Sequence, residues 1–295
     1  MFHLLGGDFV LEGVMLLWFV LAALSLAFVA FDIRATPEST VMKWGFVLLT
    51  AYTGPIGAFL YVLGCREPLP GLHERYVAVR WRQVLGSTMH CVAGDGVGIL
   101  VGAVLARHFQ IEGLAEIGLE YALGFLFGWT MFQALFMRDM AGSYGRSLKT
   151  TFIPEFLSMN VLMAGMVPVA ALFARYFDAS RDPVHPEFWF RMSMALLAGF
   201  VVAFPMNWWL VARHLKHGMT TVRAAPVAKP EPESTKPAAT DAHPGHAGAA
   251  ESKWAAASGM SARAVPRIAL LGMMILSVAA FAAGLALAAW IATGW

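Results

Sequence analysis

The chain reads as a series of apolar stretches divided by short polar ones, with one long polar interruption near its C-terminal end. Seven stretches have about the 20 residues that a helix needs to cross a bilayer: 9–31, 43–64, 81–107, 117–137, 152–176, 188–211 and 268–291. None alternates with the period of a strand. In lipid a helix satisfies every backbone group within itself. The pattern therefore predicts an all-α fold, a polytopic transmembrane helical bundle of about seven spans. Residues 1–220 form its first six helices and 266–295 a C-terminal transmembrane helix. Between them, 221–265 is rich in Ala, Pro, Lys, Glu and Ser and poor in large apolar residues. Such a segment buries too little surface to offset its ordering entropy, so a disordered linker is expected, with the last helix tethered by it. Gly54-Pro55 lies midway along the second span. Pro154 sits in the first turn expected for the fifth, and Pro168 and Pro205 predict kinks in the fifth and sixth.

Composition agrees. Of 295 residues, 58% are hydrophobic and 14% charged, against about half and a quarter in soluble domains. The net charge of +2 gives no ground for nucleic-acid binding. Two cysteines, Cys65 and Cys91, make neither a disulfide framework nor a Cys-x-x-Cys pair. No phosphate loop, nucleophile elbow, zinc-protease helix or dinucleotide fingerprint is present, and the chain is not expected to be an enzyme. Loop charge sets orientation. With seven spans, Arg66, Arg75, Arg80, Arg82, Arg138, Arg146, Lys149 and the basic residues from Arg213 to Arg267 share the side of the N-terminus. Arg34, Lys43, Arg107, Arg175, Arg181 and Arg191 lie opposite. The expectation is a multi-pass protein of the cell (plasma) membrane with a cytoplasmic N-terminus and an outer C-terminus. Its partners would be the lipid bilayer and either other membrane subunits or further copies of itself.

The third span carries the unusual chemistry. A carboxylate inside a span costs roughly 2.5–3.5 kcal/mol on insertion scales, which marks Asp95. At 100° per residue, His90, Gly94, Gly98 and Gly102 fall at about 0°, 40°, 80° and 120°, with Cys91 and Asp95 at about 100° and 140°. All six share one face, and glycines at this spacing admit a neighbouring helix closely. The fifth span adds Glu155, Met159, Met163 and Met166 within about 80° of one another. The fourth places Thr130, Gln133, Met137 and Met140 together. By depth, His90, Cys91, Asp95, Met137, Glu155 and Met159 fall in the cytoplasmic half, which predicts a shared cavity. Two readings stand side by side. The polar groups hold helices together, or His90, Cys91, Asp95, Met137, Glu155, Met159 and Met163 hold a metal. Soft sulfur donors favour an ion such as copper(I). His243 and His246 in the linker offer a weaker metal pair.

The stretches WRQVLGSTMHCVAGDGVGILVG, FMRDMAGSYGRSLKTTFIPEF and FWFRMSMALLAGFVVAFPMNWWLVARHLKHGM resemble a family of bacterial membrane proteins, domain of unknown function 4396, over roughly residues 80–219. The resemblance rests on a His-Cys-x-x-Gly element at His90, Cys91 and Gly94. It also rests on a Pro-x-Asn-x-Trp-Leu element at Pro205, Asn207, Trp209 and Leu210. Relatives carry a cysteine or an acid after that glycine, and here it is Asp95. The resemblance implies a membrane-embedded helical domain and no transferable activity. Transition-metal binding or transport is the first functional expectation. A structural or assembly subunit of a membrane complex is the second. A proton-coupled transporter or membrane enzyme using Asp95 and Glu155 is the third.

Overall fold

The computed structural model describes residues 2–218 and 265–294, without the side chains of residues 2–10, Asp139 and Met140. The expected linker, with His243 and His246, lies outside the described residues apart from Val265. Among the described residues the chain is helical, with no β-strand. Among the described residues, five helices are long and apolar enough to cross a membrane. They are α1 (Phe2–Asp32), α5 (Arg80–His108), α8 (Tyr144–Tyr176), α9 (Pro186–Ala212) and α10 (Arg267–Thr293).

The expected second span is not one continuous helix. It divides into α2 (Thr40–Thr53) and α3 (Pro55–Gly64), and the two fold back on each other. Ser39 caps α2 by accepting from the Met42 amide at 3.3 Å. Gly54, at φ +56°, reverses the chain where an L-side chain would be strained, and Pro55 starts α3 at its first position. The register is that of a hairpin. Phe46 stacks edge-on with Tyr61 at 5.4 Å. A Cβ on Gly57 would lie 2.7 Å from Thr50 Cα, and the tip at Gly54 rests on Trp18 and Ala22 of α1. With 14 and 10 residues in the two arms, the hairpin reaches about 15–21 Å and returns towards the end of α1. Arg66, just past α3, pairs with Asp32 at the end of α1 at 2.9 Å. The chain then passes through α4 (His73–Val77) into α5.

The expected fourth span is likewise built in pieces: α6 (Leu114–Phe127), a π-helical turn (Gly128–Ala134) and α7 (Leu135–Ala141). It runs antiparallel to α5 through the glycine face expected from the sequence. A Cβ on Gly94 would meet Phe132, one on Gly98 would run into the Leu123 carbonyl, and one on Gly102 would lie 2.8 Å from Glu120 Cα.

Helix α8 begins at Tyr144, capped by Ser143 on the Arg146 amide. Pro154 is thus interior, correcting its expected first-turn place, and leaves the Thr150 carbonyl without its helical amide. Pro168 does the same to the Ala164 carbonyl, and Gly284 of α10 packs against that freed oxygen. Helix α9 runs antiparallel to α8, with Gly165 against Ala198 and Gly199 against Leu162. Helix α10 runs parallel to α8: Asn160 donates to Ser277 at 3.2 Å and Arg175 to the Ile291 carbonyl at 2.6 Å. We call the end of the bundle where α5 and α8 begin the lower end, and the other the upper end.

Candidate functional site

Cys91 and Glu155 each stand 11 residues inside their helices, so both lie about 16 Å from the lower end. Cys91 Sγ is 3.8 Å from Glu155 Oε2. One turn above Cys91, the Asp95 carboxyl lies against that of Glu155. The two acids close on the backbone of Gly128, the first residue of the π turn. A Cβ there would run into Asp95 Oδ1 and lie 2.7 Å from Glu155 Oε1. Only glycine lets the carboxyl pair sit against this helix. Asp95 and Glu155 have no exposed surface, and among the described residues no donor reaches either Asp95 oxygen.

Two residues complete the site that the sequence reading had not placed in it. Gln133, near the end of the π turn, donates to Cys91 Sγ at 3.2 Å. Lys216 places Nζ 3.1 Å from Glu155 Oε2, with its side chain 1% exposed. Lys216 follows α9 on a strap, 213–218, built by a Schellman turn. The Leu215 amide bonds the Leu210 carbonyl and the His214 amide that of Val211, with His214 at φ +57°. The turn swings the chain back under the bundle, where Leu215 packs on Leu210 and Leu157. Burial works against the Lys216 charge, but the acidic groups around it, Glu155 among them, hold the ammonium above its ordinary range.

The other expected ligands disperse. His90 is buried, its ring 5.3 Å from Phe132 and 5.2 Å from Phe136, with no partner for Nε2 among the described residues. Met159, one turn above Glu155, packs its methyl against Gly124. Met163 stands eight residues beyond Glu155, about 12 Å along α8, in the core with Leu162 and Met166. Met137 is half-buried on α7, one turn past Gln133. Among the described residues, the one group of three His, Cys, Asp or Glu side chains with ligand atoms all within 4.8 Å is Glu38, Cys65 and His73, elsewhere in the fold. The cation beside Glu155 is the chain's own ammonium.

A second polar tier lies higher on the same α5–α6 seam. Glu120 sits on Gly102, seven residues or about 10 Å above Asp95. It lines a cavity of about 430 Å³ with Glu116, Arg191 and part of α10. On the α8–α9 seam, Asn207 donates to Ser158 at 3.1 Å and to the Ala203 carbonyl at 3.2 Å. This is the cross-helix role open to an Asn beside Pro205.

No curated protein and no solved structure matches the chain. The family model described as Domain of unknown function (DUF4396) matches residues 80–216, from the first residue of α5 to the lysine that closes the site. The part of the chain that builds the Asp95–Glu155–Lys216 group is thus the part that the DUF4396 model matches.

Proposed function

We propose that the protein is a proton-coupled membrane transporter, not an enzyme, in which Asp95 and Glu155 share one exchangeable proton. One observation carries the reading: two buried carboxyls face each other, and Asp95 has no donor from the described chain. A buried carboxylate left without a donor is costly. A single proton between the acids removes that cost and leaves Glu155 to balance Lys216. Intramembrane ionisable groups commonly mark ion and proton pathways, and π turns often occur at functional sites. The Glu120 cavity supplies a polar approach from the upper end, and the Lys216 strap closes the lower one.

The copper expectation finds less support. Cys91 is already engaged by Gln133 and Glu155, and Lys216 holds the cation position. The assembly-subunit reading rests on packing seams that a transporter equally needs.

Orientation follows from the hairpin. With 43–64 returning to its own side, only Arg107, Arg175, Arg181 and Arg191 of the 16 Lys and Arg among the described residues lie towards the upper end. The lower end is then cytoplasmic by the positive-inside rule. The described residues cross six times, by the five long helices and the α6–α7 unit, with the start of α1 and the end of α10 outside.

Reconstitution into liposomes under a pH gradient tests the function. Proton uptake read by an entrapped pH dye is expected in the wild type. It should be lost in Asp95→Asn and retained in His90→Ala. Uptake undiminished in Asp95→Asn and Glu155→Gln would contradict the proposal.

A further inference from the structure

The mouth of the α2–α3 hairpin holds a second buried group. Glu38 precedes the cap of α2, Cys65 ends α3 and His73 begins α4. Glu38 stands 27 residues before Cys65 and 35 before His73, and is brought to them because the hairpin closes. All three side chains are buried, at 2%, 0% and 0% exposure. One ligand atom from each lies within 4.8 Å of the other two, and His73 Nε2 is 3.2 Å from Glu38 Oε1. The other ring nitrogen, Nδ1, is buried without a partner among the described residues.

A thiol, an imidazole and a carboxylate are the three protein donors that zinc takes. At zinc bond lengths of roughly 2.0–2.3 Å, tetrahedral geometry sets neighbouring donors about 3.3–3.8 Å apart. The spacing here needs only small side-chain shifts to reach that value. A histidine–carboxylate bond alone explains Glu38 and His73. It does not explain why Cys65 is the third side chain in the same buried space. The loop that delivers His73 is itself fixed, since Glu67 Oε1 accepts from the His73 amide at 3.2 Å.

We propose that Glu38, Cys65 and His73 form a binding site for a zinc-class divalent ion, which clamps the mouth of the hairpin. Three protein ligands leave the fourth position to water. The ion ties the start of α2 to the end of α3 and to α4, and so fixes the tip at Gly54 against α1. The site is independent of the Asp95–Glu155–Lys216 group and shares no residue with it.

The test uses the full-length chain in detergent, with zinc ion alone as the probe. After loading and desalting, about one zinc per chain is expected by elemental analysis. Cys65→Ser and His73→Gln should bind about 10–100-fold more weakly or worse. Cys91→Ser and His90→Ala should bind as the wild type does. Cobalt substitution gives a readout that needs no variant: a thiolate-to-cobalt charge-transfer absorption in the wild type. A wild type that retains no zinc, or whose cobalt form lacks that absorption, overturns the proposal. So does zinc binding undiminished in a folded Cys65→Ser.

Discussion

A buried ion pair shows its energetics most clearly when one partner is removed. Lys216→Met leaves the Glu155 carboxylate without its cation, and such losses cost about 3–5 kcal/mol. Lys216→Met combined with Glu155→Gln removes both charges and should recover most of that stability, as thermal unfolding in detergent would show. An additive double variant would separate Lys216 from Glu155. Three members of the site were legible in the sequence because they violate their surroundings. An acid in an apolar stretch stands out, so Asp95 and Glu155 were visible, and Cys91 shares the Asp95 face. Lys216 was invisible for the opposite reason. A lysine just past a span is ordinary, and its burial depends on a left-handed turn at His214, a residue type that does not announce one. Gln133 was visible on a wheel of 100° per residue, but only the π turn fixes where it points.

At the scale of elements, glycine spacing on α5 predicted a close helix contact, and the α6 seam supplies it. Gly98→Ala is expected to cost at least about 1–3 kcal/mol of overpacking, because its methyl would meet the Leu123 carbonyl. Gly272→Ala, which meets nothing within 4 Å on α10, is expected to be neutral or to gain up to about 1 kcal/mol from helix propensity. Equal effects at both positions would contradict the seam. The Gly54-Pro55 pair was also legible, but a kink and a full reversal are written with the same two residues. The difference lies in the sign of φ at Gly54 and in what faces Thr50, and neither is local. The strap carries a pH dependence. Burial, with the His214 charge nearby, holds His217 down to about 4 from an ordinary 6.5. A depressed histidine stabilises its site above the ordinary value, and that contribution is lost as pH falls through the depressed one. Hydrogen exchange in 213–218, corrected for intrinsic rate, should therefore quicken as pH drops from about 6.5 towards 4. His217→Gln should flatten the response.

For the whole molecule, the proposed six crossings rest on the hairpin, which sets the side of every loop before α5. Labelling of single cysteines at positions 34 and 69, in a chain lacking Cys65 and Cys91, tests this directly. Both positions should react from the same, cytoplasmic side, whereas a spanning 43–64 would put them on opposite sides. Hydropathy alone could not distinguish these cases, because an apolar stretch of 22 residues satisfies the length rule whether it crosses or returns. The proton proposed between Asp95 and Glu155 is read most directly by infrared difference spectroscopy of the purified protein. At neutral pH the wild type should show a protonated-carboxyl band that is lost or shifted in Asp95→Asn and in Glu155→Gln, and preserved in Glu120→Gln. A spectrum without such a band, or one whose band is unchanged by both substitutions, would contradict the shared proton.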